Sequence, residues 1–187
     1  MEKTHLFPWW AGRMLLGPLR KRSIDPHALL EPFVRAQMTV LDAGCAMGFF
    51  SLPIAGMVGP GGRVVCVDVQ KRMISGLVRR ARKAGLLERI DARVCNQNSL
   101  MLGDLVGRID FALAFAVVHE LLDRAHFFEE VHRSLVKGGR LLVAEPKRRV
   151  SAGMFRESVE LAVKKGFALE REWETASSRL TVFAGNR

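Results

Sequence analysis

From Thr39 to Glu145, short apolar runs alternate with segments whose apolar residues recur at helical spacing. The runs are Thr39–Asp42, Arg63–Asp68, Asp91–Cys95, Ile109–Phe115 and Arg140–Glu145. Their Val, Ile and Leu are too continuous for strands with one wet face, so both faces need cover, as in a parallel sheet. Helical spacing marks Phe50–Val58, Lys71–Ala84, a short piece near Leu100–Leu105, and Arg124–Leu135. Gly85 and Gly138-Gly139 stand where glycines commonly close helices. Alternation of this kind predicts a doubly wound α/β sheet with right-handed crossovers.

Past Pro146 the spacing predicts a helix over Met154–Lys165, ended by Gly166. Two strand-like segments follow, Phe167–Trp173 and Leu180–Ala184, joined by about six residues, a length that suits an antiparallel hairpin at a sheet edge. The expected fold class is therefore a mostly parallel seven-stranded sheet with its last strand antiparallel. Residues 1–38 are less regular. Asp25-Pro26 reads as a helix start with proline at the first position, leading through His27–Val34. The whole chain, 1–187, reads as one domain: an N-terminal helical or lid segment (1–38), a core (39–146), and a helix with a C-terminal hairpin (147–187).

Charge bears on partners rather than fold. Lys and Arg number 29 against 19 Asp and Glu, for a net charge of +10. The cations cluster at Arg20-Lys21-Arg22, along Lys71, Arg72, Arg79, Arg80, Arg82 and Lys83, and at Lys147-Arg148-Arg149. An anionic small molecule, RNA or an anionic membrane surface would suit such a balance, and so would a plain solvated surface. Three cysteines, Cys45, Cys66 and Cys95, all in apolar surroundings, read as reduced buried thiols. That usage fits a cytoplasmic location. Without a CxxC pair there is no zinc spacing, and no metal is expected. Glu2, Pro8, Arg13 and Pro18 interrupt any signal peptide, and no apolar run is long enough for a transmembrane helix. An aromatic cluster, Phe7, Trp9 and Trp10, stands out in a chain without tyrosine. It suits a lid, a stacking surface, a membrane-interface contact, or simple packing.

The stretch V-L-D-A-G-C-A-M-G-F-F-S (Val40–Ser51) carries the most chemistry. A buried strand ends at Asp42, a glycine turn follows, and a helix begins. Gly44 and Gly48 permit a sharp turn and close approach of a ligand to the backbone. The helix N-terminus adds N–H groups and partial positive charge. A dinucleotide fingerprint needs glycines where this chain has Ala46 and Phe49, so the nicotinamide and flavin reading fails. A carboxylate two residues before the first glycine suits a ligand with a cationic end better than a pyrophosphate. The second strand also ends in a carboxylate, Asp68, placed to accept two ribose hydroxyls.

Asp-Ala-Gly-Cys-Ala-Met-Gly resembles motif I of the class I S-adenosylmethionine-dependent methyltransferases, with Ala46 in place of the middle glycine. The Ile109–Leu121 stretch and the Val136–Pro146 entry to the fifth strand resemble the same family, and the resemblance covers about Thr39–Pro146. It implies that S-adenosylmethionine binds and leaves as S-adenosylhomocysteine. It implies that Asp42 helps to place the methionine amino group and that Gly44, Cys45, Ala46, Gly48 and Phe49 form the loop around the ligand. It further assigns Asp68 to the ribose, with Val69 beside it, Asn98 and Ser99 to the adenine side, and Phe115 to the tip of the fourth strand.

The acceptor is far less legible. His119, just past the fourth strand, is the natural candidate for a general base, since its ordinary pKa near 6.5 suits the task. A helix-start or packing role is the alternative, and a base is needed only when the acceptor must lose a proton. Trp9, Trp10 and Lys147 are the candidate substrate contacts. The favoured reading is methyl transfer to a small, anionic or lipid-like acceptor. An RNA methyltransferase is the alternative within the class, and a non-catalytic cofactor-binding partner subunit the alternative outside it. The sequence carries no signal for an oligomeric state.

Overall fold

The computed structural model describes residues 24–186. The N-terminal cluster with Trp9 and Trp10, and Arg20-Lys21-Arg22, lie outside the described residues. The fold is a seven-stranded mixed α/β sheet, and the described chain falls into two compact units, one ending at Asn96 and the other starting at Gln97.

The first unit opens with Pro26–Leu30 (α1), where Asp25 caps the helix by accepting the His27 amide at 2.9 Å and Pro26 occupies the first turn. That is the arrangement the Asp-Pro pair predicts, though the helix stops at Leu30. Thr39–Ala43 (β1), Arg63–Asp68 (β2) and Ile90–Val94 (β3) pair in parallel in the order β3-β2-β1. Ser51–Val58 (α2) and Lys71–Lys83 (α3) are the connecting helices. The core is Val40, Leu41, Ile54, Val64, Val65 and Leu77, each fully shielded from water. Complete cover of both faces does not extend to β3, whose residues are half-buried or exposed, because only β2 flanks it within the unit.

The second unit contains Ile109–Phe115 (β4), Arg124–Ser134 (α4), Leu135–Pro146 (β5), Ala152–Lys164 (α5), Phe167–Glu174 (β6) and Ser178–Gly185 (β7). Strands run in the order β4-β5-β7-β6, with β7 antiparallel to both neighbours. Phe128 of α4 meets Phe167 edge-on, and Phe167 meets Phe183, joining helix and sheet through aromatic rings. The link between β6 and β7 is only residues 175–177, shorter than expected. The charged pair Glu174 and Arg179 face each other in register, so polar residues that read as loop belong to the strands.

Gly138-Gly139 do not end a helix. α4 stops at Ser134, and β5 starts at once. Ile109 pairs with Leu135 but Phe111 with Arg140, so the residues between Leu135 and Arg140 bulge from the β4–β5 ladder, with Gly138 at φ 75°. A left-handed glycine serves a bulge as well as a helix end, so the sequence signal is the same for both.

Candidate active site

In the first unit the chain turns out of β1 through three left-handed residues, Gly44 (φ 75°), Ala46 (φ 47°) and Gly48 (φ 79°). The loop is held largely by its own amides. Gly44 and Cys45 both donate to the Val67 carbonyl, at 2.9 and 3.0 Å, and Gly48 donates to Cys45. Ala46 donates to the Asp68 carboxylate at 3.0 Å. The loop amides at these four positions therefore shape the turn. From α3, Arg80 donates to the Met47 carbonyl and pins the loop to the helix.

Asp42 is 2% exposed and accepts the Ser51 hydroxyl at 2.5 Å, tying the strand end to the first turn of α2. Asp68 ends β2. One of its oxygens takes the Ala46 amide and the other the Gln70 amide, at 2.8 Å. Burial pushes its carboxyl pKa up, and the two backbone bonds only partly offset that. Each carboxylate oxygen has a second lone pair, so the pair can still receive two hydroxyls. A buried carboxylate kept costly in this way marks a functional candidate. Together with a turn whose left-handed positions carry at most a methyl group, it fits an adenosyl ligand. Cys45 and Phe49 are buried beside the turn, Phe49 meeting Phe50 edge-on at 5.0 Å, and Val69 is half-buried. Desolvation raises the Cys45 thiol pKa well above its ordinary value, so this cysteine is a packing group rather than a nucleophile.

Ala46 occupies the left-handed position that the family pattern gives to glycine, a conformation that costs an alanine about 1–2 kcal/mol. Ala46→Gly relieves that strain but frees the unfolded chain by about 0.4–1 kcal/mol. Thermal melting should show a change within about 1 kcal/mol of wild type, with S-adenosylhomocysteine affinity retained.

In the second unit, Asn98 is exposed on the loop that opens the unit. Ser99 donates to Glu130 of α4 at 2.8 Å, and Glu130 also accepts the Leu100 amide at 2.7 Å. Ser99 thus anchors this loop. Phe115 ends β4 half-buried. Ala116 (φ 57°) then bends the chain into a short turn, Val118–Glu120, that holds His119.

Glu145, which sequence reasoning passed over, sits 2% exposed near the end of β5. Its Oε1 accepts the Val118 and His119 amides at 2.8 and 3.3 Å, and its Oε2 lies 2.5 Å from His119 Nδ1. Lys147 pairs with Glu174 at 2.6 Å, and Arg149 approaches Glu120 at 3.9 Å. Two of the three clustered cations thus face carboxylates, while Arg148 is exposed. Among the described residues no group of His, Cys, Asp and Glu is placed to hold a metal ion, and no helix is long and apolar enough to cross a membrane.

The same topology appears in a solved S-adenosylmethionine-dependent methyltransferase from Aquifex aeolicus, with a TM-score of 0.87 and 24% identity over 96% of this chain and 99% of that one. Nocamycin O-methyltransferase of Saccharothrix syringae is 36% identical over 40% of this chain and 25% of its own. The ubiquinone/menaquinone biosynthesis C-methyltransferase of Hydrogenovibrio crunogenus is 27% identical over 64% of this chain and 46% of its own. The chain thus spans less than half the length of these curated relatives. A family model described as a methyltransferase domain matches residues 35–179, running through both units. The chain belongs to the class I S-adenosylmethionine-dependent methyltransferase family.

Proposed function

We propose that the protein transfers the methyl group of S-adenosylmethionine to a small organic acceptor. The observation that carries this reading is the Asp68 carboxylate, buried, still able to accept, and bonded to the glycine turn through Ala46. Asp68 would take the ribose hydroxyls, and Gly44, Ala46 and Gly48 would let the methionine end pass close to the backbone. Asp42 would act through the turn it braces, since its carboxylate is held by Ser51. Cys45, Phe49 and Val69 would pack around the ligand. The sulfonium supplies an activated methyl group, so the protein's task is placement of the acceptor.

The relatives include a protein named as a nocamycin O-methyltransferase and one named as a ubiquinone/menaquinone biosynthesis C-methyltransferase. That supports a small acceptor without choosing its reacting atom. An anionic group on the acceptor would meet Arg148, because Lys147 and Arg149 face Glu174 and Glu120. Incubation with methyl-labelled S-adenosylmethionine and a small-metabolite extract tests the reading. Label should enter a small product as S-adenosylhomocysteine forms.

One observation favours RNA as the second reading. Lys71, Arg72, Arg79, Arg82 and Lys83 lie on the exposed face of α3, which contains no acidic residue. Lys71, Arg79, Arg82 and Lys83 form no ion pair among the described residues. If this face holds RNA, replacing those four by Gln should flatten the plot of log affinity against log salt. The slope should fall by about 0.7–0.9 for each phosphate that is no longer neutralised. An unchanged slope in filter binding removes this reading.

A further inference from the structure

Three residues on one face of α3 meet the turn that follows β1. At Gly76 a Cβ would stand 2.9 Å from Met47 Cγ and 3.2 Å from its Sδ, so the helix leaves a gap that the Met47 side chain fills. A glycine inside a helix is disfavoured against alanine, and the packing of Met47 accounts for this one. On Gly48 a Cβ would stand 2.3 Å from Leu77 Cδ1, so space as well as its φ of 79° requires a glycine there. One helical turn beyond Gly76, Arg80 donates from Nη1 to the Met47 carbonyl.

These contacts converge on one peptide unit. Its carbonyl, from Met47, is held by Arg80, and its amide, from Gly48, donates to the Cys45 carbonyl at 2.9 Å. Rotating that peptide would break both bonds. It would also leave a half-buried guanidinium without an acceptor. Burial lowers the Arg80 pKa, and among the described residues no carboxylate offsets it. A cation in that position is costly to leave unpaired, so the bond resists rotation more than a surface bond would. The turn needs such a hold. Ala46, immediately before Met47, stands at φ 47°, where an alanine is strained. Relaxing that strain would carry the Ala46 amide away from Asp68, to which it donates.

Resting on the cofactor reading of this turn, we propose that Arg80 is a positioning residue for S-adenosylmethionine. Its bond keeps the Met47–Gly48 peptide in the orientation that holds Ala46 left-handed and Asp68 engaged. The ligand then meets a turn already shaped, and its binding energy is not spent on reshaping the loop. Arg80 acts through the Met47 carbonyl, so its effect falls on cofactor affinity. The hold also accounts for Ala46 at a place where the family pattern has glycine. An alanine there needs a restraint that a glycine would not.

The test uses the full chain. S-adenosylhomocysteine affinity is measured by calorimetry, Tm by thermal melting, and exchange of the Gly48 amide by NMR in the ligand-free protein. Arg80→Met keeps the aliphatic stem and removes the donor. It should weaken binding by about 10-fold or more and speed Gly48 exchange. Arg80→Lys can still make a single charged bond and should bind within about threefold of wild type. Adding Ala46→Gly to Arg80→Met removes the strain and should recover affinity by about fivefold or more. The same change alone should leave wild-type affinity as it is. Arg89→Met is the control, because Arg89 donates to the Ala55 carbonyl of α2, outside the turn, at 2.9 Å. It should lower Tm and spare affinity. Should Arg80→Met fail to fold, Arg80→Gln, whose uncharged amide ends short of the guanidinium's reach, takes its place with the same expectations. Binding by the folded Arg80 variant within about twofold of wild type overturns the proposal. So does unchanged Gly48 exchange, or a loss of affinity that Arg89→Met reproduces or that Ala46→Gly does not relieve. Failure of wild type to bind S-adenosylhomocysteine would instead sink the methyl-transfer reading, and this proposal with it.

Discussion

Replacement of Asp68 by alanine should weaken S-adenosylhomocysteine binding by roughly 10- to 150-fold. Hydrogen bonds to a charged group are worth about 1.5–3 kcal/mol each, and one such increment sets that range. The loss has two sources. The variant lacks the charged acceptor for the ribose hydroxyls, and it also frees the Ala46 amide at the centre of the glycine turn. Acid should reproduce part of the effect in wild type. Burial raises the Asp68 pKa, so its carboxylate is protonated at a higher pH than an ordinary aspartate, and affinity should decline from that higher pH as the solution is acidified. Calorimetry over a pH series checks both. Affinity that is unchanged in a folded Asp68→Ala protein removes Asp68 from the site.

Gly62→Ala should be the most damaging single-methyl change in the first unit. A Cβ at this position would stand 2.4 Å from Val58 Cβ, 2.7 Å from the Val58 carbonyl oxygen and 2.8 Å from the Met38 carbonyl oxygen. Two of these are backbone atoms, so no rotamer change relieves the clash. The end of α2 and the entry to β1 must move apart, straining the Arg63 amide's 3.0 Å bond to Met38. Overpacking of this kind costs about 3 kcal/mol, which for a protein of this size lowers Tm by roughly 6–12 °C. Gly56→Ala is the matched control, since nothing lies within 4 Å of its would-be Cβ. Equal melting temperatures for the two variants would contradict this packing.

Much of the fold was legible because its signals are local. Unbroken apolar runs located the strands, and helical spacing placed Lys71–Lys83 and Arg124–Ser134 to within a residue of their observed ends. Asp68 was visible because it ends an apolar run at a strand tip. What the sequence concealed depends on pairing across the sheet. Glu145 reads as one carboxylate in an apolar strand, and only the β4–β5 register, with Phe115 opposite Ala144, brings it to His119. Ser99 and Glu130 lie 31 positions apart, and Lys147 and Glu174 meet only after β6 and β7 have folded back on β5. Lys147 therefore read as an open cation, although its charge faces Glu174. Gly138-Gly139 misled for a different reason. A left-handed glycine signals a turn of the backbone but not whether a helix or a strand is turning.

Methyl transfer itself is tested most directly by incubating the protein with methyl-labelled S-adenosylmethionine, a small-metabolite extract and total RNA, then separating the products. S-adenosylhomocysteine should form in proportion to label in a small organic product, with the RNA fraction unlabelled. Formation no faster than without protein, or label confined to RNA, would contradict the account.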